Sequence, residues 1–131
     1  MLVVDAGVVV AALADDDHDG DRARARLAGE VLLAPELVDL EVLSVLRRLV
    51  LATHLPERRA RLALQDLVDL PLRRAAQRTL LVRCWELRAN VTAYDAACVA
   101  LAELAGADLL TADERLARAP GLRCRVELLP P

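Results

Sequence analysis

Short apolar runs recur along this chain, each too short for a helix and each stopped by a charge or a proline. "LVV" (2–4) ends at Asp5, "VLLAP" (31–35) at Pro35, and "ADLLTA" (107–112) at Asp113. "CRVELL" (124–129) runs into the final prolines. Each reads as a short strand. A fifth run, "LVDLPLR" (67–73), carries Pro71, which a sheet tolerates only at an edge or a bulge. Longer segments of helical character separate the runs. Strands that alternate with helices predict an α/β fold, a three-layer α/β/α sandwich around a central, mainly parallel sheet. The 131 residues suit a single domain over 1–131.

The intervening segments set the expected helices. Gly7 permits a tight turn before a helix over Val8–Leu13. "DDDHDGD" (15–21) reads as a solvated loop, followed by a helix over Asp21–Leu27 that Gly29 ends. Pro35 and Glu36 suit the first turn of a helix running to Ala52. That helix is apolar nearly all round, so it is expected at the centre of the fold. A further helix starts near Pro56, and another covers Ala75–Arg88. Thr92 caps a helix over Ala93–Leu104 that Gly106 terminates, and a short helix covers Glu114–Ala119.

Composition narrows the chemistry. Residues are 56% hydrophobic, yet Phe is absent and aromatics are 2%, so the core is built from Leu, Val and Ala. The net charge of −3 argues against general electrostatic affinity for nucleic acid and leaves room for a local basic patch. All 17 basic residues are arginine. Without lysine there is no P-loop nucleotide site and no receiver-domain site, and no G-x-G-x-x-G points to a dinucleotide fold. Cys84, Cys98 and Cys124 show no metal-ligand spacing and read as small buried residues in a reducing compartment. His18 and His54 read as surface residues. The start carries no basic leader, and the longest uncharged run, Ala6–Ala14, is too short to span a bilayer. A soluble, cytoplasmic protein without membrane contact is expected.

Four acids then stand out. Asp5 and Asp113 follow strands, where open parallel sheets place their sites. Glu41 lies on an apolar helix, and Asp95 lies in the first turn after Thr92. Taken singly, Asp5 and Asp113 are turn or capping residues, Thr92 and Asp95 form a capping box, and Glu41 pairs with a distant arginine. Taken together, converging carboxylates call for a bound cation, and hard oxygen donors select Mg²⁺ or Mn²⁺.

"VVDAGVVVAAL", "ELVDLEVLSVLRRL" and "ANVTAYDAACVALAELAGADLLTADERLA" resemble a PIN-domain ribonuclease, most closely the VapC-type toxin of type II toxin–antitoxin modules. The likeness spans essentially the whole chain and is most specific over Thr92–Ala117. It implies a Mg²⁺-dependent endoribonuclease in which Asp5, Glu41, Asp95 and Asp113 hold the metal and carry catalysis. It also implies an RNA substrate, a cognate antitoxin and a homodimer. The family often has Ser or Thr two positions after the first aspartate, where this chain has Gly7. The rival reading is a PIN-fold protein-binding module with weak or no catalysis. Arg47, Arg48, Arg73, Arg74 and Arg78 are candidates for gripping a phosphate backbone, and a solvated face explains them equally well.

Overall fold

The computed structural model describes residues 1–130. Its strands are β1 (Leu2–Val4), β2 (Leu32–Pro35), β3 (Leu72–Ala75), β4 (Asp108–Thr111) and β5 (Val126–Leu128). They form one sheet in the order β3-β2-β1-β4-β5, and every neighbouring pair is parallel. In register, Leu2 stands between Leu32 and Asp108. β3 is an edge strand and begins just after Pro71, where a missing N–H is tolerated.

Side chains of β1 alternate between faces, and each face has its own core. Leu2 and Val4 pack with α1 (Ala6–Ala14), α2 (His18–Leu27), α3 (Val38–Leu51) and α4 (Glu57–Asp69). Val3 packs on the other face with α6 (Ala93–Ala105), and Leu116 from α7 (Glu114–Ala117) joins it. Leu80 and Leu87, at the two ends of α5 (Leu81–Glu86), complete that layer. The result is the expected three-layer sandwich.

Several element boundaries depart from expectation. α1 starts at Ala6, so Gly7 lies in its first turn and makes no separate turn. α2 starts at His18, taking in residues expected as loop, because Gly20 closes onto the end of α1. A Cβ at Gly20 would stand 1.8 Å from the Asp15 carbonyl oxygen. α3 begins only at Val38, since Pro35 remains paired with Ala75 in the sheet. Val68 and Asp69 close α4, so the strand occupies only the end of "LVDLPLR". The expected helix over Ala75–Arg88 is divided among the end of β3, a 3₁₀ turn at Arg78–Leu80 and α5. α7 stops at Ala117.

The central helix is α6, not α3. α6 lies against β1, β2 and β4 and buries every residue from Ala96 to Leu101, plus Ala102. Its alanines let the backbone sit close to the sheet. α3 packs on α1 and α4 instead, burying a stripe of Val38, Val42 and Leu46. Leu40 and Leu51 stay 64% and 67% exposed on its other side. The Thr92 cap and the Gly106 terminator are as expected, Gly106 in the left-handed conformation with φ 64°.

Candidate active site

Asp5 follows β1 directly and caps α1, its Oδ1 accepting the Val8 N–H at 2.9 Å. Its Oδ2 accepts from the Thr111 hydroxyl. Thr111 closes β4 and is fully buried. The same hydroxyl oxygen accepts the Asp113 N–H at 3.0 Å. Asp113 caps α7 by accepting the Arg115 N–H at 2.8 Å. β1 has β2 on one side and β4 on the other, so the chain leaves it in both directions across the sheet. Such a switch point opens a crevice beyond the carboxyl ends of the strands. Asp5 and Asp113 stand there, tied through one threonine.

The other two acids come from helix starts. The Thr92 hydroxyl accepts the Asp95 N–H at 3.2 Å, which is one half of the expected box. Glu41 lies in the first turn of α3, where an acid suits the helix dipole. The arginine partner considered for Glu41 is not there: no basic group contributes to its environment.

The four carboxylates feel one another. Burial pushes the Asp5 pKa up; the Thr111 and Val8 hydrogen bonds oppose this, and the charges of Asp95 and Asp113 add to it. Burial, then Asp95 and Asp5, raise Glu41. Burial and then Asp113 raise Asp95, against smaller pulls from Thr92 and Arg115. The Cys98 thiol is buried close by, and burial followed by these acids pushes its pKa well up. It stays protonated and supplies no thiolate. Cys84 and Cys124 are half-buried, and all three cysteines are free.

The structure therefore brings Asp5, Glu41, Asp95 and Asp113 near enough for their charges to interact, with Asp5 and Asp113 acting as caps as well. Among the described residues, no three His, Cys, Asp or Glu side chains stand in position to hold a metal ion. The donor set itself suits a hard divalent cation: four carboxylates, three of them with pKa raised first by burial and then by neighbouring acids. The nearest cation is Arg115, whose Nε is 3.8 Å from Asp113 and whose side chain is 95% exposed.

The phosphate-gripping candidates fare unevenly. Arg74 is committed to Asp39 at 2.9 Å and to the carbonyls of Leu67 and Leu72, so it holds α4 to β3. Arg47, Arg48, Arg73 and Arg78 are exposed. Arg88 and Arg115 were not among those candidates, although they line a cleft of about 450 Å³ with Asp95 and Asp113. Arg115 had a sequence signal, two residues after Asp113 in "TADER"; Arg88 had none. A larger cleft of about 770 Å³ holds none of the four acids and is rimmed by Asp15, Asp16, Asp17, Asp19 and Glu114. His18 and His54 are exposed, as expected. No described helix is long and apolar enough to cross a membrane.

A family model for the PIN domain matches residues 2–122. The chain is 44% identical over 128 residues to Ribonuclease VapC1 of Mycobacterium tuberculosis, covering 97% of this chain and 96% of that protein. It is 42% identical over 130 residues to Ribonuclease VapC9 of the same organism, covering 99% of each. Among solved structures it is similar to M. tuberculosis VapC20, a Sarcin–Ricin loop cleaving toxin, with TM-score 0.74, 19% identity and coverage of 99% and 100%. It is also similar to VapBC2 from Rickettsia felis bound to a promoter DNA fragment, with TM-score 0.71, 15% identity and 98% of each chain covered.

Proposed function

This chain belongs to the PIN-domain family, and from that premise we propose that it is a metal-dependent endoribonuclease acting as the toxin of a toxin–antitoxin pair. The observation that supports the reading is the Asp5–Thr111–Asp113 bridge beyond the ends of β1 and β4, with Asp95 and Glu41 close enough for their charges to act on Asp5 and on each other. The arginine beside this set is Arg115, 3.8 Å from Asp113 and 95% exposed, which leaves Asp5 and Glu41 without a basic partner.

Asp5, Glu41, Asp95 and Asp113 would hold Mg²⁺, with Mn²⁺ the alternative. When bound, the ion supplies a nucleophile at neutral pH and stabilises charge on the phosphoryl oxygens. The protein's own part is orientation. Val8 N–H and the Thr111 hydroxyl each occupy one oxygen of Asp5, which fixes its plane. Thr111 and Arg115 N–H hold the Asp113 loop and carboxylate. Thr92 sets the start of α6, and with it Asp95. No buried histidine or thiolate competes for the chemistry.

RNA is the proposed substrate, since the relatives at 42–44% identity are named ribonucleases. By the same likeness the proposed partners are a cognate antitoxin and a second copy of the chain. The deciding experiment is RNA cleavage by purified protein with and without Mg²⁺. Cleavage should need the ion, stop with EDTA and vanish in Glu41→Gln, which is nearly isosteric. Cleavage retained in that variant at unchanged Mg²⁺ dependence would remove Glu41 from the site.

A further inference from the structure

Nine of the 17 arginines of this protein form an ion pair among the described residues. Arg26 is bound to Glu30 and Glu127, Arg59 to Asp16, Arg74 to Asp39, and Arg83 to Glu86 and Glu103. Arg88 is different. Its guanidinium stacks on the Trp85 ring at 4.5 Å and donates to the Trp85 carbonyl at 2.9 Å, and it has no ion pair among the described residues. A guanidinium has five N–H donors, so most of those on Arg88 remain unused. Arg115 reaches Asp113 only at 3.8 Å and is otherwise open to solvent.

These two cations line the cleft that also contains Asp95 and Asp113. Its walls are braced. The Asn90 amide donates to the Pro120 carbonyl at 3.1 Å, tying the α5–α6 connection to the segment after α7. Arg83 fastens α5 to Glu103 of α6 at 2.7 Å and to the Gly121 carbonyl at 2.8 Å. Trp85 and Arg88 are thus presented from an anchored element. A cleft of about 450 Å³ is large enough for a nucleotide-sized group. The larger cleft has an acidic rim that repels a polyanion.

We propose that the cleft between the α5–α6 connection and α7 is the track of the single-stranded RNA backbone, with Arg88 and Arg115 holding phosphates beside the catalytic acids. The proposal rests on the ribonuclease reading. Trp85 is a positioning residue: its ring holds the Arg88 guanidinium against the wall and leaves it facing outward. Arg115, next to Asp113, contacts the phosphate nearer the acids. Contacts of this kind orient the strand without selecting its sequence.

The test is binding of a short, fluorescein-labelled single-stranded RNA of mixed sequence, in EDTA and over a salt series. Arg88→Ala and Arg115→Ala should each weaken binding about fivefold and lower the salt slope by about 0.7, the value for one phosphate contact on a single strand. Arg88→Lys and Arg115→Lys should restore most of the slope, which a purely structural role would not produce. Arg58→Ala, an exposed α4 arginine without an ion pair, should leave both quantities unchanged. Melting curves matched to wild type show that the variants fold. Unchanged affinity and slope in both alanine variants overturn the track. So does RNA binding like wild type together with loss of a co-expressed antitoxin, which would assign the cleft to a protein. Neither result touches the ribonuclease reading, which stands on the metal-dependent cleavage lost in Glu41→Gln.

Discussion

Thr111 joins the two halves of the site through one oxygen. Its hydroxyl donates to Asp5 and accepts from the Asp113 N–H, and the side chain is 0% exposed. Thr111→Val keeps the shape and removes both bonds. A buried carboxylate then loses its donor and a backbone N–H its acceptor, a loss of about 1–3 kcal/mol. Denaturant unfolding at neutral pH should show that loss, and Thr111→Ser should recover most of it. A Thr111→Val protein as stable as wild type would mean that water replaces the hydroxyl and the bridge holds nothing. Arg74 carries the complementary lesson. It looked free for phosphate in the sequence, and Asp39 and the carbonyls around α4 have claimed it.

Two glycines within helices have opposite meanings. Gly7 lies in the first turn of α1, and an added Cβ would meet only Asp5 Oδ1, at an ordinary 3.5 Å. Gly7→Ala should therefore raise stability by up to about 1 kcal/mol through the unfolded chain's lost freedom. Gly20 in α2 faces the end of α1, where a Cβ would collide with the Asp15 backbone. Backbone cannot rotate away, so Gly20→Ala should cost about 1–3 kcal/mol or more. Thermal melts of both variants decide the pair; shifts of the same sign would mean that the α1–α2 contact is not tight. The α1–α2 approach also explains why an acidic segment that reads as loop is helical. Contact with α1 stabilises a turn that its local sequence does not.

For the whole molecule, two charge systems set the response to pH and metal. The Arg26 hydrogen bond lowers the Glu127 pKa from 4.5, and this pair ties α2 to the last strand. A depressed carboxylate stabilises the fold above its unfolded pKa and loses that contribution as pH falls through the folded value. Wild type should therefore exceed Glu127→Gln in stability above about pH 4.5, with the gap closing below it. A gap that stays constant with pH would assign the difference to packing. Asp5, Glu41 and Asp95 behave oppositely, because burial first and the charges of neighbouring acids second oppose their ionisation in the fold until a cation or a proton relieves it. At ten times Kd, Mg²⁺ should add roughly 1.4 kcal/mol and raise Tm by a few degrees. Asp113→Asn preserves a capping side chain and removes one charge. It should melt above wild type in EDTA and shift less with Mg²⁺. The reverse of both would make Asp113 a structural cap only.

The sequence by itself determined the local elements and the candidate acids. Apolar runs ending at a charge marked β1 and β4, Thr92 and Gly106 bounded α6, and a family likeness singled out Asp5, Glu41, Asp95 and Asp113. These signals are carried by neighbouring residues, so propensity, capping and spacing reveal them. Only the tertiary structure decided that β1 lies between β2 and β4, which places Asp5 beside a threonine 106 residues away. It also decided that α6 and not α3 is the buried helix, since both are apolar and only contact with the sheet separates them. It left Arg88 and Arg115 without close carboxylate partners and occupied Arg74. An arginine's partner arrives from a distant part of the chain, and burial of both sheet faces settles which parts meet.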